Sequence, residues 1–184
     1  MRLLRSAVLY TAFAFAANAA TAMPDLAPLL QGDMRKLVPA DAPGAPVEGA
    51  LVDAADAPVD LSAHRGKWLL VNFWATWCAP CRAEMPMLDR LQAEFGGDRF
   101  AVLPVATGRN PLPAIHDFYV DEGLTALPIL RDPKQQFARQ MAVLGLPVTV
   151  LIDPEGREVA RMQGEAHWDG PEAKALVAAL IAGE

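Results

Sequence analysis

Cysteine is nearly absent: the 184 residues hold only Cys78 and Cys81. Two cysteines cannot build a multi-disulfide scaffold. Histidine is scarce as well, at His64, His116 and His167, and none has ligand spacing near the cysteine pair. A structural zinc site needs four ligands, so the pair would be only half of one. Surplus positive charge is missing too. Lys and Arg number 16 against 22 Asp and Glu, a net charge of −6. Removing residues 1–22 would take away Arg2 and Arg5 and no acid, leaving −8. Nucleic-acid binders need clustered positive charge, which this chain lacks. Cationic proteins and metal ions remain compatible partners. There is no internal repeat, and this length leaves no room for two full cores.

Apolar residues make up 53% of the chain and charged residues 21%, a globular composition. The N-terminus reads as an export signal. Arg2 and Arg5 form a short basic region, and Ser6 to Pro24 then runs without a charge. Ala17-Asn18-Ala19 and Ala20-Thr21-Ala22 each fit a signal-peptidase site. Residues 1–22 are therefore a cleaved signal peptide or an uncleaved membrane anchor, since about 17–25 largely apolar residues span a bilayer. Either puts the rest of the chain outside the cytoplasm. Pro24, Pro28, Pro39, Pro43 and Pro46 mark residues 23–46 as a Pro-rich spacer with, at most, a short helix within 26–37.

From Val47 to Glu184 the pattern alternates strands and helices in one domain. Strands are expected at 47–53 and 59–61, forming an N-terminal β-hairpin, and at 67–73, 100–106, 128–130, 148–152 and 158–163. The run at 67–73 is almost continuously apolar, as in a strand buried on both faces. Helices are expected at 79–95, with Pro86 inside, and at 114–122, 135–142 and 171–182. This order predicts an α/β domain with a central mixed sheet flanked by helices.

The chemistry centres on Asn72-Phe73-Trp74-Ala75-Thr76-Trp77-Cys78-Ala79-Pro80-Cys81-Arg82-Ala83-Glu84-Met85-Pro86. A C-x-x-C pair lets two sulfurs meet within one helical turn, so the bond can open and close. Following a buried strand, Cys78 falls at a helix N-terminus, where free N–H groups and the helix dipole favour a thiolate. Cys81 sits one turn in, placed to resolve a mixed disulfide. A copper metallochaperone using the same thiolates is an alternative of another class, and a redox-dead interaction module is a third. Thr76 lies only two residues before Cys78, which gives peroxidase chemistry little support. Met85 and Met87 read as core filler, and His167 and Trp168 as structural.

W-C-x-P-C at 77–81, the preceding N-F-W-A-T-W and the following R-x-E-x-P resemble the exported TlpA/ResA/CcmG-like branch of the thioredoxin superfamily. Gly66-Lys67, Gly145-Leu146-Pro147 and Gly164-Glu165-Ala166-His167-Trp168 also fit. The resemblance covers residues 47–184. It implies a thioredoxin-like fold with a central insertion, placed within about 107–133. It also implies a monomeric thiol:disulfide oxidoreductase with no cofactor beyond the Cys78–Cys81 pair. Trp77, Ala79, Pro80, Leu146 and Pro147 would meet the protein substrate. An X–Pro bond is cis in only about 5–6% of cases in folded proteins, yet the family places a cis proline, here Pro147, opposite the pair.

Two departures matter. Asn72 stands where thioredoxin has a buried acid, which leaves Glu84 as the nearest candidate to take the proton of the resolving thiol. Leu146 stands where Thr is often found. Ala79 and Pro80 offer no charge to stabilise a thiolate, so the pair is expected on the reducing side, nearer about −270 mV than about −120 mV. The resemblance then implies a transmembrane thiol carrier in the bacterial inner membrane as electron donor. The acceptors would be periplasmic proteins that build the copper site of cytochrome oxidase, or alternatively apocytochrome c.

Overall fold

The computed structural model describes residues 25–42 and 44–183; the expected signal or anchor at 1–22 lies outside the described residues. In chain order, two 3-10 turns (Ala27–Leu29 and Gly32–Lys36) lead into β1 (Val38–Pro39). The hairpin β2 (Ala50–Val52) and β3 (Pro58–Asp60) follows. Then come β4 (Trp68–Trp74), α1 (Ala79–Phe95), β5 (Phe100–Thr107), α2 (Leu112–Asp121), β6 (Leu130–Asp132) and α3 (Gln136–Gln140). The chain closes with β7 (Val148–Ile152), β8 (Glu158–Gln163) and α4 (Pro171–Ala182). The eight strands of the described residues form one sheet in the order β1-β8-β7-β4-β5-β6-β2-β3. β4 is parallel to β5 and antiparallel to β7, so the sheet is mixed, as expected. Segment 107–133 supplies α2 and β6, and β6 joins the sheet beside β5.

Side chains alternate across a strand, and β4 uses this to build two interiors. Leu70 and Trp74 pack with Met85, Leu88 and Leu91 of α1 and with Leu176, Val177 and Leu180 of α4. Leu69, Val71 and Phe73 pack on the other face with Phe137 of α3, Val105 and Val150. α1 stays helical through Pro86.

The spacer expectation for 23–46 needs correction. Leu26, Met34 and Leu37 are buried in the same cluster as α1 and α4, and β1 pairs with β8 through Val38–Arg161 and Pro39–Ala160. The prolines block a long helix, as expected, but apolar residues between them reach the core through 3-10 turns. Residues 25–42 are a strap bound to the domain, not an extended connector.

Candidate active site

Parallel β4 and antiparallel β7 bring the two halves of the site together. β4 ends at Trp74 and delivers the Cys loop, while the Phe73–Val148 pairing sets Pro147 at the adjoining start of β7. The Leu146–Pro147 peptide is cis. Cys78 is the N-cap of α1, and its Sγ accepts the Cys81 backbone N–H at 3.3 Å. The helix start thus points a free donor at that sulfur, which favours the thiolate when the pair is reduced. Cys78 and Cys81 are bonded to one another, with Cα atoms 5.3 Å apart. Cys81 is fully buried and Cys78 is 6% exposed, so Cys78 alone can be reached from solvent.

Trp77 is 67% exposed, and Ala79 and Pro80 are exposed beside it. Leu146 is half-buried and Pro147 buried. Trp74, by contrast, is a core residue against Phe118, whose ring also lies 4.9 Å from the Arg82 guanidinium carbon. A residue with no sequence signal holds the approach to the pair. Asn110 Oδ1 accepts from the Thr76 backbone N–H (2.8 Å) and hydroxyl (3.0 Å), and its Nδ2 donates to the Thr107 carbonyl (2.7 Å). The Thr76 hydroxyl therefore serves the loop.

Glu84 lies one helical turn beyond Cys81 and is wholly buried. Asn72 Nδ2 donates to its Oε1 at 2.6 Å, while the Trp168 indole (3.1 Å) and Ala166 N–H (3.4 Å) donate to Oε2. These three donors favour the carboxylate, but burial opposes it more strongly and pushes the pKa up to about 7. Glu84 is thereby poised to exchange a proton near neutral pH. Asn72 Nδ2 also donates to Thr149 Oγ1 (3.0 Å), its cross-strand partner, while Asn72 Oδ1 is buried without a hydrogen-bond partner among the described residues. An amide suits both protonation states. Nδ2 donates to the carboxylate, and Oδ1, once the amide turns over, accepts from the carboxylic acid. Trp168, read from sequence as structural, touches the site directly. The Gly164–Trp168 segment was the signal, but only folding shows which atom it contributes. Among the described residues no group of three or more His, Cys, Asp or Glu is arranged to hold a metal ion.

Thiol-disulfide oxidoreductase ResA of Bacillus subtilis is 32% identical over 114 residues, 62% of this chain and 63% of that protein. Thioredoxin-like protein YneN of Bacillus subtilis is 38% identical over 94 residues, 50% of this chain and 54% of that one. The chain thus spans under two thirds of the length of these curated relatives. A solved structure of a candidate thiol:disulfide interchange protein DsbE from Chlorobium tepidum aligns with a TM-score of 0.66 at 27% identity, covering 77% of this chain and 98% of that one. The pneumococcal exposed lipoprotein thioredoxin Etrx1 of Streptococcus pneumoniae aligns with a TM-score of 0.61 at 25% identity, covering 75% and 100%. The AhpC/TSA family pattern matches residues 40–160, more than half of the sequence. By that match and by its sheet order, the chain belongs to the AhpC/TSA family and has the thioredoxin fold.

Proposed function

We propose that this protein is a thiol:disulfide oxidoreductase that reduces Cys pairs in other proteins. The observation that carries the reading is the bonded pair at the start of α1 with one titratable acid buried a turn beyond it. In the reduced protein the Cys78 thiolate attacks one sulfur of a substrate disulfide. That forms a mixed disulfide and expels the other substrate sulfur as a thiolate. Cys81 loses its proton to Glu84 and attacks Cys78 Sγ, releasing the second substrate thiolate. The substrate gains two electrons and the Cys78–Cys81 bond forms. Exposed Trp77, Ala79 and Pro80, with Leu146 and Pro147, form the contact surface.

The likeness to ResA and to an exposed lipoprotein thioredoxin supports an exported setting, with residues 1–22 as signal or anchor. No helix of the described residues is long and apolar enough to cross a membrane. In the periplasm a reductant needs electrons from a transmembrane thiol carrier. The acceptors we assign are copper-site assembly proteins of cytochrome oxidase, with apocytochrome c as the second reading. A deletion strain separates them: oxidase activity is lost with c-type haem attachment intact, or haem attachment itself is lost.

The central experiment uses Cys81→Ser, which leaves Cys78 without its resolving partner. It traps a mixed disulfide with a disulfide-bearing substrate, and limiting iodoacetamide labels Cys78 before Cys81 in the reduced wild type. Failure to reduce any disulfide or oxidise any dithiol sinks the reading. Equilibration with glutathione fixes direction: a potential near about −270 mV supports a reductant, and one near about −120 mV excludes it.

A further inference from the structure

The Gly164–Trp168 loop joins three parts of the molecule. At its start Gly164, at φ +87°, donates its N–H to the Pro147 carbonyl at 2.9 Å. That left-handed φ disfavours any side chain other than that of glycine. On its inner side, the loop sends the Ala166 N–H and the Trp168 indole to Glu84 Oε2. On its outer side it is gripped by the strap. Asp33 Oδ2 accepts the His167 backbone N–H at 3.0 Å, and His167 Nδ1 lies 2.8 Å from the same oxygen. Lys36 Nζ donates to the Glu165 carbonyl at 3.0 Å and pairs with Asp33 Oδ1 at 3.0 Å. The strap is anchored by buried Met34, which lies between Asp33 and Lys36, and just after them by buried Leu37 and the pairing of β1 with β8.

We propose that Asp33 and Lys36 are positioning residues: they clamp the 164–168 loop from outside so that its inner donors stay seated on Glu84. The clamp holds Glu165 and His167, which alternate along the loop with Ala166 and Trp168, the two residues buried against the acid. An exposed ion pair adds little stability. Here its value is geometric, because it keeps water from the carboxyl group. The groups that face Glu84 are Asn72 from β4 and Ala166 and Trp168 from the loop, with the Glu165 charge nearby and Cys81 one turn back on α1.

The proposal builds on the acid's role in thiol exchange, but its test reads the carboxyl group itself. The full chain, oxidised and carrying carbon-13 at glutamate carboxyls, is titrated by NMR. Asp33→Ala combined with Lys36→Ala removes the clamp without changing net charge. Unseating the Ala166 and Trp168 donors would by itself raise the Glu84 midpoint, but water entering beside the loosened loop relieves the larger effect of burial, so the midpoint falls by about half a unit or more. The Trp168 indole proton also exchanges about tenfold faster. Asp33→Asn keeps one carbonyl oxygen to accept the His167 N–H, and gives less than half that shift. An unchanged or raised midpoint in the double variant overturns the proposal. So does an equal shift in Asp33→Asn, which would assign the effect to charge. If the double variant fails to fold, Lys36→Ala alone is judged by the same midpoint. None of these measurements needs turnover, so a protein inactive in dithiol exchange would still report on the clamp.

Discussion

Alternate residues of β4 face two chemically different interiors. Val71, Asn72 and Phe73 are all fully buried, yet Val71 and Phe73 point into the apolar cluster around Val105, Phe137 and Val150. Asn72 points the other way, to Glu84, Thr149 and the base of the Cys helix. The first interior gains stability from buried area and packing, which are indifferent to pH. The second contains a desolvated acid, so its stability depends on protons. One strand thus separates the part of the core that holds the sheet together from the part that can do chemistry.

The largest expected effect tests the dry side. Phe73 packs against Phe137 with the rings tilted and their centroids 5.3 Å apart. Phe73→Ala leaves a cavity and costs about 3–5 kcal/mol, equally at pH 5 and pH 8, by urea denaturation. A strongly pH-dependent loss would break the comparison.

Next comes the polar side. The folded pKa of Glu84 is raised from 4.5 to about 7, so between those values the native state holds a proton that the unfolded state has released. The contribution of Glu84 to stability is therefore full below about pH 4.5 and falls as pH rises toward 7, by a total on the order of 3 kcal/mol. Glu84→Gln flattens the urea midpoint across that window. It also changes the pH–rate curve of Cys78 alkylation more than Asn72→Ala does. Overlapping curves for wild type and Glu84→Gln would remove the acid from the site.

Asn72→Ala sharpens the contrast further. It deletes a donor that holds the Glu84 pKa down, so the acid titrates higher than in wild type. The lost buried hydrogen bonds cost about 1–3 kcal/mol, readable in the same denaturation series. The smallest effect is at the rim. Asn110→Ala releases Thr76 and costs about 1 kcal/mol, with slower mixed-disulfide formation as Trp77 loses its fixed approach.

The amino-acid sequence by itself determined the strand and helix order from Val47 onward, the Cys pair at a helix start and the candidacy of Glu84. Each is local. Apolar runs, helical spacing and C-x-x-C are read within a few residues, and the order of α and β elements then leaves few topologies. Glu84 could be singled out because it follows Cys81 by three positions, one turn of the same helix. What occupies its two oxygens could not be read that way. Asn72, Ala166 and Trp168 are 12, 82 and 84 residues away, and meet the acid only because α1 and the 164–168 loop lie over one face of the sheet. The strap escapes a local reading for the same reason: prolines show that no long helix forms, but not that Met34 has a core to enter. Burial, and with it the rise of the Glu84 pKa, belongs to no single segment, because desolvation is the sum of everything packed around a group.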